Sequence, residues 1–136
     1  MRATHCMIFA GVLLLAPAHG SLAQSVSPIV SAWEGESLCT IRDSPCHDEH
    51  VIYKFKTASG KLSVDAFKLV GGEQQFMGTL DCDFRDPEKL LTCSAHTAKH
   101  DLWEFHLNGN ELTGTLVLDP HKTLYRKIHV KRLPQP

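Results

Sequence analysis

The chain has 136 residues, with 14 Lys and Arg against 15 Asp and Glu for a formal charge of -1, and it is 43% hydrophobic and 21% charged. Nine Gly and seven Pro are too few for a collagen-like or low-complexity chain, so the composition is that of one folded domain. The balanced charge supplies no basic field, and no nucleic-acid partner is expected.

The N-terminus reads as a leader. Arg2 is followed by an apolar run over residues 7–16, and Ser21-Leu22-Ala23 places small residues where a signal peptidase reads them. The run is shorter than the roughly 20 apolar residues that span a bilayer. A signal peptide over residues 1–23 is therefore predicted, cleaved between Ala23 and Gln24, with a single domain over residues 24–136. The product is expected to be secreted or periplasmic, with no stable membrane span. Cys6 would leave with the leader, and Cys39, Cys46, Cys82 and Cys93 would stay.

A first strand is predicted over residues 29–34 and a short second one over 37–40. Next comes a cluster, Cys39, Cys46, His47, Asp48, Glu49 and His50. Zinc could use Cys39, Cys46, His47 and His50 if the thiols were reduced. The spacing C-x6-C-H-x2-H matches no familiar zinc pattern, however, and export exposes thiols to oxidation. A disulfide is the plainer reading, and no metal is expected. The alternative, a metal-binding protein, would draw on His47, His50, His96 and His100.

From residue 51 the pattern is strand after strand. Val51, Tyr53 and Phe55 alternate with Ile52, Lys54 and Lys56, and residues 57–60 make a turn. Leu62, Val64 and Ala66 follow, after which Phe67 and Leu69 fall on the other phase, so a bulge or bend is expected near Ala66. Beyond Gly71-Gly72, the residues Phe76, Gly78, Leu80, Cys82 and Phe84 share one phase. Residues 85–88 break the chain, and Leu91, Cys93 and Ala95 share the next phase. A hairpin with Cys82 opposite Cys93 sets Phe84 against Leu91 and Leu80 against Ala95, all on one buried face. That register selects Cys82–Cys93 among the three possible pairings and leaves Cys39–Cys46. Such small rings contribute about 2–4 kcal/mol each in the loop-entropy account.

Trp103, Phe105 and Leu107 then lead to Asn108-Gly109, the dipeptide of a type I′ hairpin turn. A two-residue loop there pairs Phe105 with Leu112 and lays Trp103 over Gly114. Residues 119–122 turn the chain again. In the last strand Leu124, Arg126, Ile128, Val130 and Arg132 share the inner phase. No stretch keeps helical spacing for ten residues. Seven or eight short antiparallel strands without helices to cover their edges close most economically into an up-and-down β-barrel, so the fold class expected is all-β.

Trp33 in the first strand and Arg132 in the last resemble the calycin pattern of lipocalin-like barrels, in which an early Trp packs under an Arg near the chain's end. The stretch from Trp33 to Arg132 is similar to small exported bacterial lipocalin-like proteins. The resemblance implies a structural role for these two residues and a barrel that binds a small apolar or amphipathic ligand.

Candidate lining residues are Tyr53, Phe55, Phe76, Phe84, Trp103 and Phe105, although tight packing would make most of them core filler. Arg126 lies on the inner phase and must be paired, so it is a candidate ligand contact. A second hypothesis is an envelope protein–protein interaction or inhibitor module that presents residues 43–50 and 96–101 to a partner. An enzyme is not expected, because no serine sits in a nucleophile elbow and no cysteine would stay free. No cofactor is expected, and a monomer is.

Overall fold

The alternation of apolar and polar residues becomes eight strands. In a computed structural model, which describes residues 27–97 and 100–136, they are β1 (Ala32–Cys39), β2 (Glu49–Ala58), β3 (Lys61–Val70), β4 (Glu73–Arg85), β5 (Leu90–Ala95), β6 (Leu102–Asn108), β7 (Glu111–Leu118) and β8 (Thr123–Arg132). The predicted leader lies outside the described residues. Each strand pairs antiparallel with the next, and β1 pairs with β8 from Trp33↔Arg132 to Cys39↔Arg126, which closes an up-and-down barrel. No described helix is long and apolar enough to cross a membrane.

The inner phases meet in one core. Trp33, Val51, Val64, Leu91, Cys93, Phe105, Leu112 and Val130 are each under 2% exposed or at 2%. Tyr53 packs edge-on against Phe105 and Phe55, with ring centroids 5.8 and 6.5 Å away. The β4–β5 hairpin has the expected register, with Cys82↔Cys93, Phe84↔Leu91 and Leu80↔Ala95. Both disulfides, Cys82–Cys93 and Cys39–Cys46, are formed, with Cα separations of 4.1 and 5.9 Å.

Four local expectations are corrected. The two short strands predicted over 29–34 and 37–40 are one strand, β1, because β2 and β8 supply ladder partners on both sides through Gly35. Ile29 lies before it in a turn and is fully buried, closing the barrel's base. The β6–β7 hairpin turns on Gly109-Asn110, with Asn108↔Glu111, so Phe105 rather than Trp103 faces Gly114. Gly109 alone carries a positive φ there (59°), at the position a II′ turn reserves for Gly. A Cβ on Gly114 would lie 2.5 Å from a ring carbon of Phe105, so this aromatic occupies the space the missing side chain leaves.

The other two corrections are bulges. The irregularity near Ala66 occurs, but the extra residue is on the partner strand: Ala66↔Gly78 is followed by Phe67↔Phe76, which leaves Met77 over. One extra residue reverses which face the rest of a strand presents. Phe76 therefore leaves the inner phase, is 62% exposed, and stacks on Phe67 at 5.5 Å on the outer wall. Likewise Leu116↔Arg126 is followed by Val117↔Leu124, so Tyr125 is left over and Leu124 turns outward.

Candidate functional site

The two ends of the barrel differ. At the base, the Trp33 indole N–H donates to the Ile29 carbonyl at 2.9 Å, and the Arg132 guanidinium lies 4.3 Å above the indole ring. Arg132 also donates to the Pro28 carbonyl at 2.6 Å and to Asn110 Oδ1 at 3.3 Å. Ile29 and Trp33 fill the space beneath Arg132, and a separate opening of about 500 Å³ lies to one side at this end, between Ser27, the β2–β3 turn and Phe84.

The mouth is not filled. A cavity of about 500 Å³ opens there. Ala66, Met77, Leu80, Ala95, Trp103 and Leu116 supply apolar surface, and Ser37, Glu49, Tyr53 and Arg126 supply a polar pole. Small side chains explain the space: Ala66 and Ala95 stand at inner positions where the strands below carry Val64 and Leu91. The hairpin loop between β1 and β2 forms one lip, clipped by Cys39–Cys46 and by the Cys39 amide, which donates to Asp48 Oδ1 at 2.8 Å. Thr40 ties this lip to β8, its amide and hydroxyl donating to the Tyr125 and Leu124 carbonyls at the bulge.

Arg126 organises the polar pole. Its Nη1 donates to the carbonyls of Ser37 (3.1 Å) and His47 (3.0 Å) and approaches Glu49 Oε2 at 3.6 Å. Its side chain is 12% exposed, and a cation so placed stays only where carbonyls and a carboxylate compensate its lost hydration. Lys68 stands 4.0 Å from the other Glu49 oxygen but does not line the cavity, so the pole itself sets one guanidinium beside one carboxylate. Burial pushes the Tyr53 phenol well above the ordinary tyrosine range, with Arg126 and the Ser37 hydrogen bond pulling the other way and Glu49 adding to the rise. Tyr53 is therefore a neutral hydrogen-bonding group rather than a base.

Of the residues singled out in the sequence, Tyr53, Trp103 and Arg126 come together at this cavity. Phe55 and Phe105 are buried beneath it as core, and Phe84 packs half-buried against that core. Phe76 is outside. The four histidines of the metal alternative are dispersed: His50 pairs with Glu34 (2.7 Å), His96 with Asp81 (3.1 Å) and His100 with Asp119 (3.6 Å). His47 contributes its carbonyl to Arg126. Among the described residues no three His, Cys, Asp or Glu side chains converge as a metal site would need.

Two pole residues were not foreseen as ligand contacts. Glu49 is in phase with Val51, Tyr53 and Phe55, a signal that was present but read as part of the Cys/His cluster. Ser37 is in phase with Trp33, which becomes visible only when β1 is one strand.

Fold and site together define the class as a closed eight-stranded up-and-down β-barrel with an amphipathic cavity at one end. Compared with known proteins, the chain matches no protein-family model and no curated relative.

Proposed function

We propose that this protein is an exported, non-catalytic, lipocalin-like β-barrel that binds a small amphipathic molecule at its mouth. The observation that carries the reading is a polar pole, Arg126 with Tyr53, Ser37 and Glu49, at one side of a mostly apolar cavity of about 500 Å³ whose rim adds Thr79, His96 and Thr97. Cavities of this size with few convergent polar groups suit small ligands. The Arg126 guanidinium, whose Nη1 alone makes the contacts to Ser37, His47 and Glu49, favours a ligand whose head is anionic or a strong hydrogen-bond acceptor. Two disulfides suit an oxidising compartment and, with the leader-like residues 1–23, support secretion or the periplasm.

The test uses 1-anilinonaphthalene-8-sulfonate, an aromatic amphiphile with an anionic head, titrated into the oxidised protein and followed by fluorescence and native mass spectrometry. One molecule bound per barrel is expected, with affinity about tenfold lower in Arg126→Met, the worth of one charge-assisted hydrogen bond. No bound probe, or equal binding by the variant, would overturn the reading.

A further inference from the structure

Among the described residues, the closed barrel has a stretch of wall near its mouth where strand pairing lapses. β4 is paired with β3 from Glu73 to Cys82, Met77 excepted, but its pairing with β5 begins only at Leu80↔Ala95. On the far side, β5 meets β6 only from Leu90↔His106 to Cys93↔Trp103. Among the described residues, positions 73–79 of β4 therefore have a strand neighbour on one side alone. Their exposure agrees: Glu73, Gln74, Gln75, Phe76 and Met77 are exposed in succession, inner and outer phase alike. Of the devices that blunt exposed edges, Lys and Pro are missing from this segment, while one charge, Glu73, and the bulge at Met77 are present.

We propose that this edge of β4 receives an extended peptide segment of a partner protein, added as a strand that fills the gap in the wall. Among the described residues, the alternate backbone N–H and C=O groups of positions 73–79 that point away from β3, spread over roughly 23 Å of strand with the Met77 bulge within it, are complementary to another extended backbone. The side-chain preference follows from what borders the gap. Met77, Gly78 and Leu80 of β4 and Trp103 of β6 line the cavity just inside it, so one phase of the added strand points an apolar side chain inward. The other phase lies beside Phe76 on the outer wall. An uncharged, β-branched or aromatic segment fits both.

A second copy of this chain paired symmetrically about Phe76, the exposed aromatic of the segment, fits less well. Two β4 edges related by a two-fold axis at Phe76 would set Glu73 opposite Thr79 and Gln75 opposite Met77. That pairing delivers no apolar side chain to the cavity. The proposal does not depend on a free ligand in the cavity, and the two are read out separately.

The probes are blocked heptapeptides in which Thr and Val alternate around a central Phe, Leu or Trp, each made also with N-methylated backbone amides. Amide hydrogen exchange of the oxidised protein is followed by NMR. At least one unmethylated peptide should slow exchange at least tenfold at those amides of residues 73–79 that face away from β3, while its N-methylated twin does not. Failure of every peptide at millimolar concentration to slow those amides, or equal effect of the methylated twin, overturns the proposal. Protection of 73–79 that rises with protein concentration without peptide also overturns it, assigning the edge to self-association. Loss of anilinonaphthalene sulfonate binding with the edge response intact would count against the cavity reading alone.

Discussion

Arg126 and Arg132 project from the same inner phase of β8, at opposite ends of the barrel, and they have different environments. Arg132 lies on a fully buried indole and donates to the chain that plugs the base. Arg126 is held by two carbonyls and faces a cavity. The strand and the side chain are the same in kind; what differs is the volume supplied by their neighbours. Trp33 and Ile29 fill the space beneath Arg132, whereas Ala66 and Ala95 leave space beside Arg126. A buried cation over a packed ring is structural, while one beside empty apolar space is available to a ligand.

Trp33→Ala should do the most damage, lowering stability by about 3–5 kcal/mol in urea unfolding, because it empties the space beneath Arg132. If the loss were no larger than that of an exposed residue, the base would not be the stabilising region. Removing Cys82–Cys93 by a double Ser substitution should cost about 2–5 kcal/mol, since the bridge joins facing positions within the core. Removing Cys39–Cys46 should instead act locally, speeding amide exchange in residues 40–48 with a smaller shift of the unfolding midpoint. Arg132→Met should lower stability by about 2 kcal/mol through its lost hydrogen bonds and ring contact, and leave sulfonate-probe affinity unchanged. Equal effects of Arg126→Met and Arg132→Met on probe binding would erase the distinction between the two ends.

The smallest effect belongs to the outer wall. Hydrogen bonds from Lys56 and Thr79 hold the Asp65 carboxyl below the ordinary aspartate range. Because its folded value is depressed, the stability it contributes is complete above about pH 4 and is lost as pH falls through the folded value. In Lys56→Met the Asp65 carboxyl should titrate closer to its ordinary value in NMR, and an unchanged titration would refute the assignment.

The site was partly legible in the sequence. Tyr53, Trp103 and Arg126 were found by phase, since their strands keep one register from the core to the mouth. Phase also put Phe76 and Leu124 inside, wrongly, because each lies beyond a bulge. Trp103 over Gly114 failed differently. Moving the turn from Asn108-Gly109 to Gly109-Asn110 shifts the pairing by two and changes no face, so alternation has nothing to say about it. Steric fit does: Phe105 takes the room over Gly114.

By itself the sequence determined the strands after β1, the face each turns inward as far as its bulge, the closure that unshielded strands require, and the Cys82–Cys93 pairing, because all of these follow from a two-residue period and its in-phase apolar set. Only the tertiary structure decided where Met77 and Tyr125 are left unpaired, which partner faces Gly114, and that space remains beside Arg126. Those depend on the register and volume of neighbouring strands, which are distant in the chain and leave no mark on local alternation.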